Sequence, residues 1–124
     1  DFRKAVKLPV SAPFHCELMQ HASNVLQPEL DKINFREFDV PLYSNVTSKS
    51  CSASEISNLL VSQVTSRVRW REIIENMEKD GFNRFIEIGP GVVLTNLVKR
   101  ISKNVEVYSI SKVEDFDILK DMNL

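Results

Sequence analysis

Apolar and polar positions follow two rhythms along this chain, and the changes of rhythm mark its elements. Residues 17–33, "ELMQHASNVLQPELDKI", place Leu18, Ala22, Val25, Leu26, Leu30 and Ile33 at helical spacing, which predicts an amphipathic helix. Pro28 falls inside that pattern; without an N–H, and with a ring that crowds the preceding turn, it predicts a kink or break. A second helical pattern covers 54–65, with Ile56, Leu59, Leu60 and Gln63 on one side and Ser54 as the N-cap. Three positions after Ser54 comes Ser57 rather than Glu or Gln, so the capping box is incomplete on this reading. A third helix, 69–79, carries Trp70, Ile73, Ile74 and Met77 and stops at Gly81. Runs of strand character lie at 3–10, 40–46, 84–88 and 105–110. After 84–88 the chain passes through Gly89-Pro90-Gly91 into a helix with Val93, Leu94, Leu97, Val98 and Ile101, and a last helix spans 113–121. Strands alternating with helices predict an α/β fold with a partly parallel sheet, whose main-body strands are 40–46, 84–88 and 105–110. Parallel strands need cover on both faces, and so thin a sheet predicts part of a larger domain.

Composition narrows the class. With 43% hydrophobic and 27% charged residues the chain reads as a globular domain. A net charge of −1 supplies no basic field for nucleic acid, and no apolar run approaches the roughly 20 residues of a membrane span. The opening "DFRKAVKL" lacks the apolar core of a signal peptide and begins inside strand character, which again suggests a segment of something longer. Cys16 and Cys51 match no C-x-x-C spacing, so neither a zinc site nor a disulfide framework is expected, and the compartment reads as reducing.

The candidate chemistry starts at "LPVSAPFHCELM", residues 8–19, where His15 stands at the joint between a strand and a helix. Such joints are held rigidly from both sides and often carry functional groups. Cys16 beside it suggests a Cys-His pair, but neighbours on an extended segment point to opposite sides, and a small structural thiol is the plainer reading. His21 reads as an exposed helix histidine with no metal spacing to His15. Gly89-Pro90-Gly91 occupies a strand-to-helix turn, where phosphates often bind; it is neither G-x-G-x-x-G nor a Walker loop, Pro90 removes a donor, and a tight structural turn is favoured. Lys99, Arg100 and Lys103 suit the end of a helix. Gln63, Asn45 and Trp70 are less ordinary. Gln63 lies near a helix C-terminus, where unpaired carbonyls are exposed; one of them could accept from a histidine ring and fix its tautomer, the task aspartate performs in a hydrolase triad.

"LPVSAPFHCELM", "VPLYSNVTSK", "SQVTSRVRW" and "FIEIGPGVVLTNLVKRI" occur in an order and spacing that resembles the C-terminal part of the malonyl-CoA:acyl carrier protein transacylase family and the related acyltransferase domains of fatty acid and polyketide synthases. The resemblance runs from about residue 3 to residue 120. It implies a fold in which residues 1–10 end a small ferredoxin-like subdomain and residues 11–124 form the C-terminal half of a hydrolase-like α/β core. It implies that His15, in the S-x-P-x-H segment, is general base and acid, and that the main-chain carbonyl of Gln63 holds its ring. Phe14 and Asn45 are implied on the substrate side. An aromatic at position 14 goes with malonyl in the acyltransferase domains, where serine often goes with methylmalonyl; the single-domain enzymes also use serine with malonyl.

The family nucleophile sits in a G-H-S-x-G elbow, which is not in this sequence; nor are the oxyanion-hole glutamine and the arginine that pairs with the malonyl carboxylate in matching context. All three belong to the preceding part of the family's chain. The resemblance thus implies a chain inactive alone, with that N-terminal part, malonyl-CoA and an acyl carrier protein as partners. It implies no bound cofactor and no metal, the phosphopantetheine being carried by the partner, and a location in bacterial cytoplasm or in a plastid, apicoplast or mitochondrion. Two other readings stay open: a non-catalytic α/β module that binds carrier protein or nucleotide at the Gly89–Gly91 turn, and a Cys-His hydrolase using Cys16.

Overall fold

The computed structural model describes residues 12–120, so the strand expected at 3–10 and the subdomain end at 1–10 lie outside the described residues. The chain divides after Val68 into two compact units.

The first unit is built on two packed helices. A 3₁₀ turn, Glu17–Met19, leads into α1, Gln20–Leu30, which packs along α2, Ala53–Thr65. Leu30, Ala53 and Ile56 are buried between them, together with Ser23, whose hydroxyl donates to the Val61 carbonyl at 3.2 Å. α1 runs through Pro28 rather than breaking there. The proline sits in the last turn, so only one hydrogen bond is forfeited, and Asp31, Lys32 and Ile33 close the end with short turns onto Gln27, Glu29 and Leu30. α2 begins one residue earlier than the periodicity predicted. Ser52, not Ser54, is its N-cap, and the box is complete: Glu55 accepts from the Ser52 N–H at 2.8 Å and from its hydroxyl at 2.7 Å. Those two bonds, backbone first, hold the Glu55 carboxyl below the usual carboxylate range.

The strand expected at 40–46 shrinks to β1, Leu42–Tyr43, paired antiparallel with β2, Ser50–Cys51, and it does not join the parallel sheet. The cause is the turn between them. Ser44 donates to Lys49 O and Ser48 to Ser44 O, and Ser48 takes φ 60°, a left-handed conformation that ends any extended run.

The second unit holds α3, Trp70–Lys79, then β3, Arg84–Ile88, α4, Val93–Ile101, and β4, Glu106–Ile110. β3 and β4 pair in parallel from Arg84–Glu106 to Ile88–Ile110, with α4 as the crossover that parallel pairing requires. α3 ends in a Schellman cap: Phe82 donates to Met77 O at 2.9 Å, Gly81 to Glu78 O at 3.1 Å, and Gly81 adopts φ 97°. Ile73, Ile74, Val98 and Ile110 are buried; burial of one such side chain stabilises by about 1.5–3 kcal/mol. Of the predicted α4 stripe only Val98 is fully buried; Val93 is 68% exposed, and Ile88 at the end of β3 is 75% exposed. The helix expected at 113–121 is a 3₁₀ turn, Val113–Phe116, followed by the short α5, Asp117–Lys120. Mixed helix and parallel strand place the chain in the α/β class.

Candidate active site

His15 is presented by a turn, not by the extended segment expected. Phe14 donates its N–H back to Ala12 O at 2.9 Å, and His15 takes φ 60°. A non-glycine residue in this region is uncommon and carries backbone strain that its surroundings must offset. One such contact is to the end of α2. The helix stops when Ser66 turns extended, at φ −100° and ψ 150°, and a helix end of this kind leaves carbonyls without intrahelical donors. The Gln63 carbonyl oxygen lies 3.0 Å from His15 Nδ1. A carbonyl only accepts, so the ring donates through Nδ1–H, and the neutral imidazole carries its lone pair on Nε2. His15 is exposed, so Nε2 is open to a reacting group.

Gln63 works at both ends. While its main chain holds the His15 ring, its side-chain Oε1 accepts from Asn45 Nδ2 at 3.0 Å. Asn45 itself belongs to the braced turn between β1 and β2, flanked by buried Ser44, whose Oγ also accepts from Val46 N–H at 3.1 Å. Phe14, 58% exposed, precedes the histidine in the same turn. Phe14, His15, Asn45 and Gln63 therefore all lie in the first unit, three of them joined by hydrogen bonds. Trp70 falls in the second unit, at the start of α3, with its Nε1 buried and unpartnered. Cys16 sends its thiol to Pro13 O at 3.1 Å while the His15 ring bonds Gln63, so each has its own carbonyl. The two side chains have different partners, and a turn stands where an extended segment was expected.

The Gly89–Gly91 turn is committed to the fold. Glu87, one residue before the end of β3, reaches over it and accepts from the N–H groups of Leu94 at 3.0 Å and Thr95 at 2.8 Å, the first turn of α4. Thr95, through its hydroxyl and then its N–H, is the main cause that holds the Glu87 carboxyl below the usual range, with the Leu94 N–H adding to it. The Thr95 hydroxyl also stands 3.3 Å from the Tyr108 carbonyl. Gly89 N–H donates to Ile110 O, and Gly91 O accepts from the hydroxyls of Ser109 and Ser111. A carboxylate already on these helix donors opposes a phosphate there. Sequence reasoning missed Glu87; its signal was an acid shortly before a helix whose N-cap, Val92, offers no side-chain acceptor. Among the described residues no cluster of His, Cys, Asp and Glu is arranged to hold a metal ion, and no helix is long and apolar enough to cross a membrane.

No protein-family model matches the chain. It is 37% identical over 117 residues, 94% of its length, to malonyl CoA-acyl carrier protein transacylase of Bacillus subtilis. Among solved structures it resembles acyl-carrier-protein-S-malonyltransferase from Bartonella henselae, with TM-score 0.87 and 44% identity over 94% of this chain and 38% of that one. It also resembles a malonyl-transacylase solved in complex with its type II polyketide synthase acyl carrier protein, with TM-score 0.86 and 35% identity over 93% of this chain and 38% of that one. The match is to the C-terminal part of such proteins, and the chain spans 37% of the length of the Bacillus relative.

Proposed function

We propose that this chain is the base-bearing, C-terminal part of a malonyl-CoA:acyl carrier protein transacylase, an acyltransferase that moves malonyl from coenzyme A to the phosphopantetheine thiol of a carrier protein. The observation that carries the reading is the bond from His15 Nδ1 to the Gln63 carbonyl. It is the orienting half of a catalytic triad with a neutral dipole where an acid would stand, and it leaves Nε2 as the base.

The nucleophile is a serine outside this sequence. As its oxygen attacks the malonyl thioester carbonyl, His15 Nε2 takes the serine proton; collapse of the tetrahedral intermediate breaks the C–S bond, and the same proton passes from Nε2 to the departing coenzyme A sulfur. The second half runs in reverse order with the carrier thiol. Its proton goes to Nε2, its sulfur attacks the serine ester, and the serine oxygen leaves with that proton. Phe14, next to the base in the same turn, is read as standing on the substrate side. In this reading residues 11–124 form the second half of a hydrolase-like core and residues 1–10 close a ferredoxin-like subdomain; the exposed Ile88 and Val93 suit a face that the rest of such a core covers. No resident cofactor is required. The nucleotide-binding alternative is disfavoured by the placement of Glu87, and the thiol alternative by that of Cys16.

The test is to incubate the 124-residue chain with malonyl-CoA and weigh it intact, beside a longer polypeptide that carries this segment and a serine elbow. The longer protein is expected to gain one malonyl group and pass it to carrier protein, while the short chain gains none. A stable malonyl ester on the short chain overturns the assignment of the nucleophile.

A further inference from the structure

We infer that Asn45 is a positioning residue, which holds His15 in its working tautomer by clamping the side chain of Gln63. The inference rests on the reading of His15 as the base and adds a residue that acts through another.

His15 stands in a turn at φ 60°, and its ring is tied by the bond to its acceptor. That acceptor, Gln63 O, sits in the last turn of α2, the part of a helix most prone to fray. Ser66 N–H closes this end onto Ser62 O at 3.1 Å, one residue before Gln63. The Asn45 amide supplies a second tie at Gln63 itself, 3.0 Å from its Oε1. Asn45 can do this because its own turn is rigid: Ser44 and Ser48 are buried at 7% and 3% exposure and bonded to each other through Ser48 N–H and Ser44 O. A side chain fixed at one end by a braced turn, and at the other by a helix residue, fixes that residue's carbonyl as well.

The readout is the tautomer of the His15 ring, from long-range nitrogen–proton NMR correlations on the ¹⁵N-labelled 124-residue chain above the imidazole titration range. The chain has two histidines, and His21, exposed on α1, is the internal reference. Free histidine favours Nε2–H; His15 is expected in the Nδ1–H form. Asn45→Ala should lower the Nδ1–H to Nε2–H ratio by about fivefold, the worth of an ordinary hydrogen bond, with His21 unmoved. Asn45→Asp should restore it, because the Gln63 amide can turn its Nε2 to donate to the carboxylate. If Asn45→Ala loses native amide dispersion, Gln63→Leu removes the same bond from the other side and must give the same fall.

A wild-type ring already in the Nε2–H form overturns the reading of His15 along with this inference. A wild-type ring in the Nδ1–H form whose ratio does not move in the folded variant overturns the inference alone. In the longer enzyme the same variant should lower kcat and leave KM for malonyl-CoA unchanged; a raised KM with kcat intact would make Asn45 a substrate contact instead.

Discussion

At the end of α2 the ring of His15 donates to the Gln63 carbonyl; at the start of α4 the carboxylate of Glu87 accepts from Leu94 and Thr95. Both contacts join a helix terminus to a side chain from outside the helix, and both satisfy groups the helix leaves unpaired. They differ in what remains afterwards. Glu87 spends both oxygens, one on each N–H, and the glycine turn beneath it is tied to Ile110, Ser109 and Ser111. His15 uses one nitrogen, and its exposed ring keeps the other available. A helix terminus is thus no functional signal by itself. What separates a cap from a candidate base is a lone pair left unused, on a ring that a turn at φ 60° presents.

The largest effect that tests this contrast is at His15. In the longer enzyme His15→Ala should reduce malonyl transfer by about 10²–10⁴-fold, the usual contribution of a positioned base, and leave the fold intact because the ring is exposed. Steady-state rates alongside a thermal melt measure both. Transfer at a near-normal rate would return His15 to the same class as Glu87, a residue that only finishes a helix end.

How far these two corners were legible in the sequence differs for a physical reason. Helical periodicity depends on local spacing, so α1 to α4 were placed nearly correctly, and Gly81 stopped α3 as glycine caps do. The cap of α2 was misplaced because Ser52 and Ser54 are equally good candidates until the Glu at position 55 is counted from the right one. The strand expected at 40–46 is longer than β1 because the turn that begins at Ser44, with Ser48 left-handed, has no mark in the sequence. Glu87 acts across the turn on residues seven and eight positions later, beyond any helical or strand period. The His15–Gln63 bond spans 48 positions. Chain spacing could suggest a free carbonyl at Gln63 and a histidine at a joint, but only resemblance to a known family put them together, and the Asn45 clamp was not anticipated by either route.

A smaller effect sharpens the other side of the comparison. Hydrogen bonds, first from Thr95, depress the Glu87 pKa, so its folded value lies below its unfolded one. The sign follows from linkage: the stabilisation is fully present above the unfolded carboxyl pKa of about 4.3 and is lost as pH falls through the depressed native value. The amide protons of Leu94 and Thr95 should titrate together at that lower midpoint in an acid NMR series, and Glu87→Gln should abolish the titration while His15 keeps its tautomer. Amide shifts that follow an ordinary carboxylate midpoint would mean that Glu87 does not hold these donors in solution, and the anion-binding reading of the Gly89–Gly91 turn would regain its footing.

The smallest effect is expected at Cys16, next to the base in sequence. Its thiol donates to Pro13 O at 3.1 Å, and a serine hydroxyl is a better donor of similar shape. Cys16 also caps the 3₁₀ turn that follows, with extended φ −147° and ψ 171° and its carbonyl accepting from Met19 at 3.0 Å. Serine is among the residues preferred at such a cap. Cys16→Ser should therefore preserve or slightly raise the melting temperature and leave malonyl transfer by the longer enzyme within about twofold, the usual range for a substitution that keeps its contacts. Substitution is a cleaner probe than alkylation, because a bulky adduct beside His15 would block the base whatever the thiol does. If Cys16→Ser stays folded and loses transfer as completely as His15→Ala, the nucleophile is the sulfur. The free Nε2 would then serve an adjacent thiol, and the contrast between an open helix end and a closed one would have been drawn around the wrong partner.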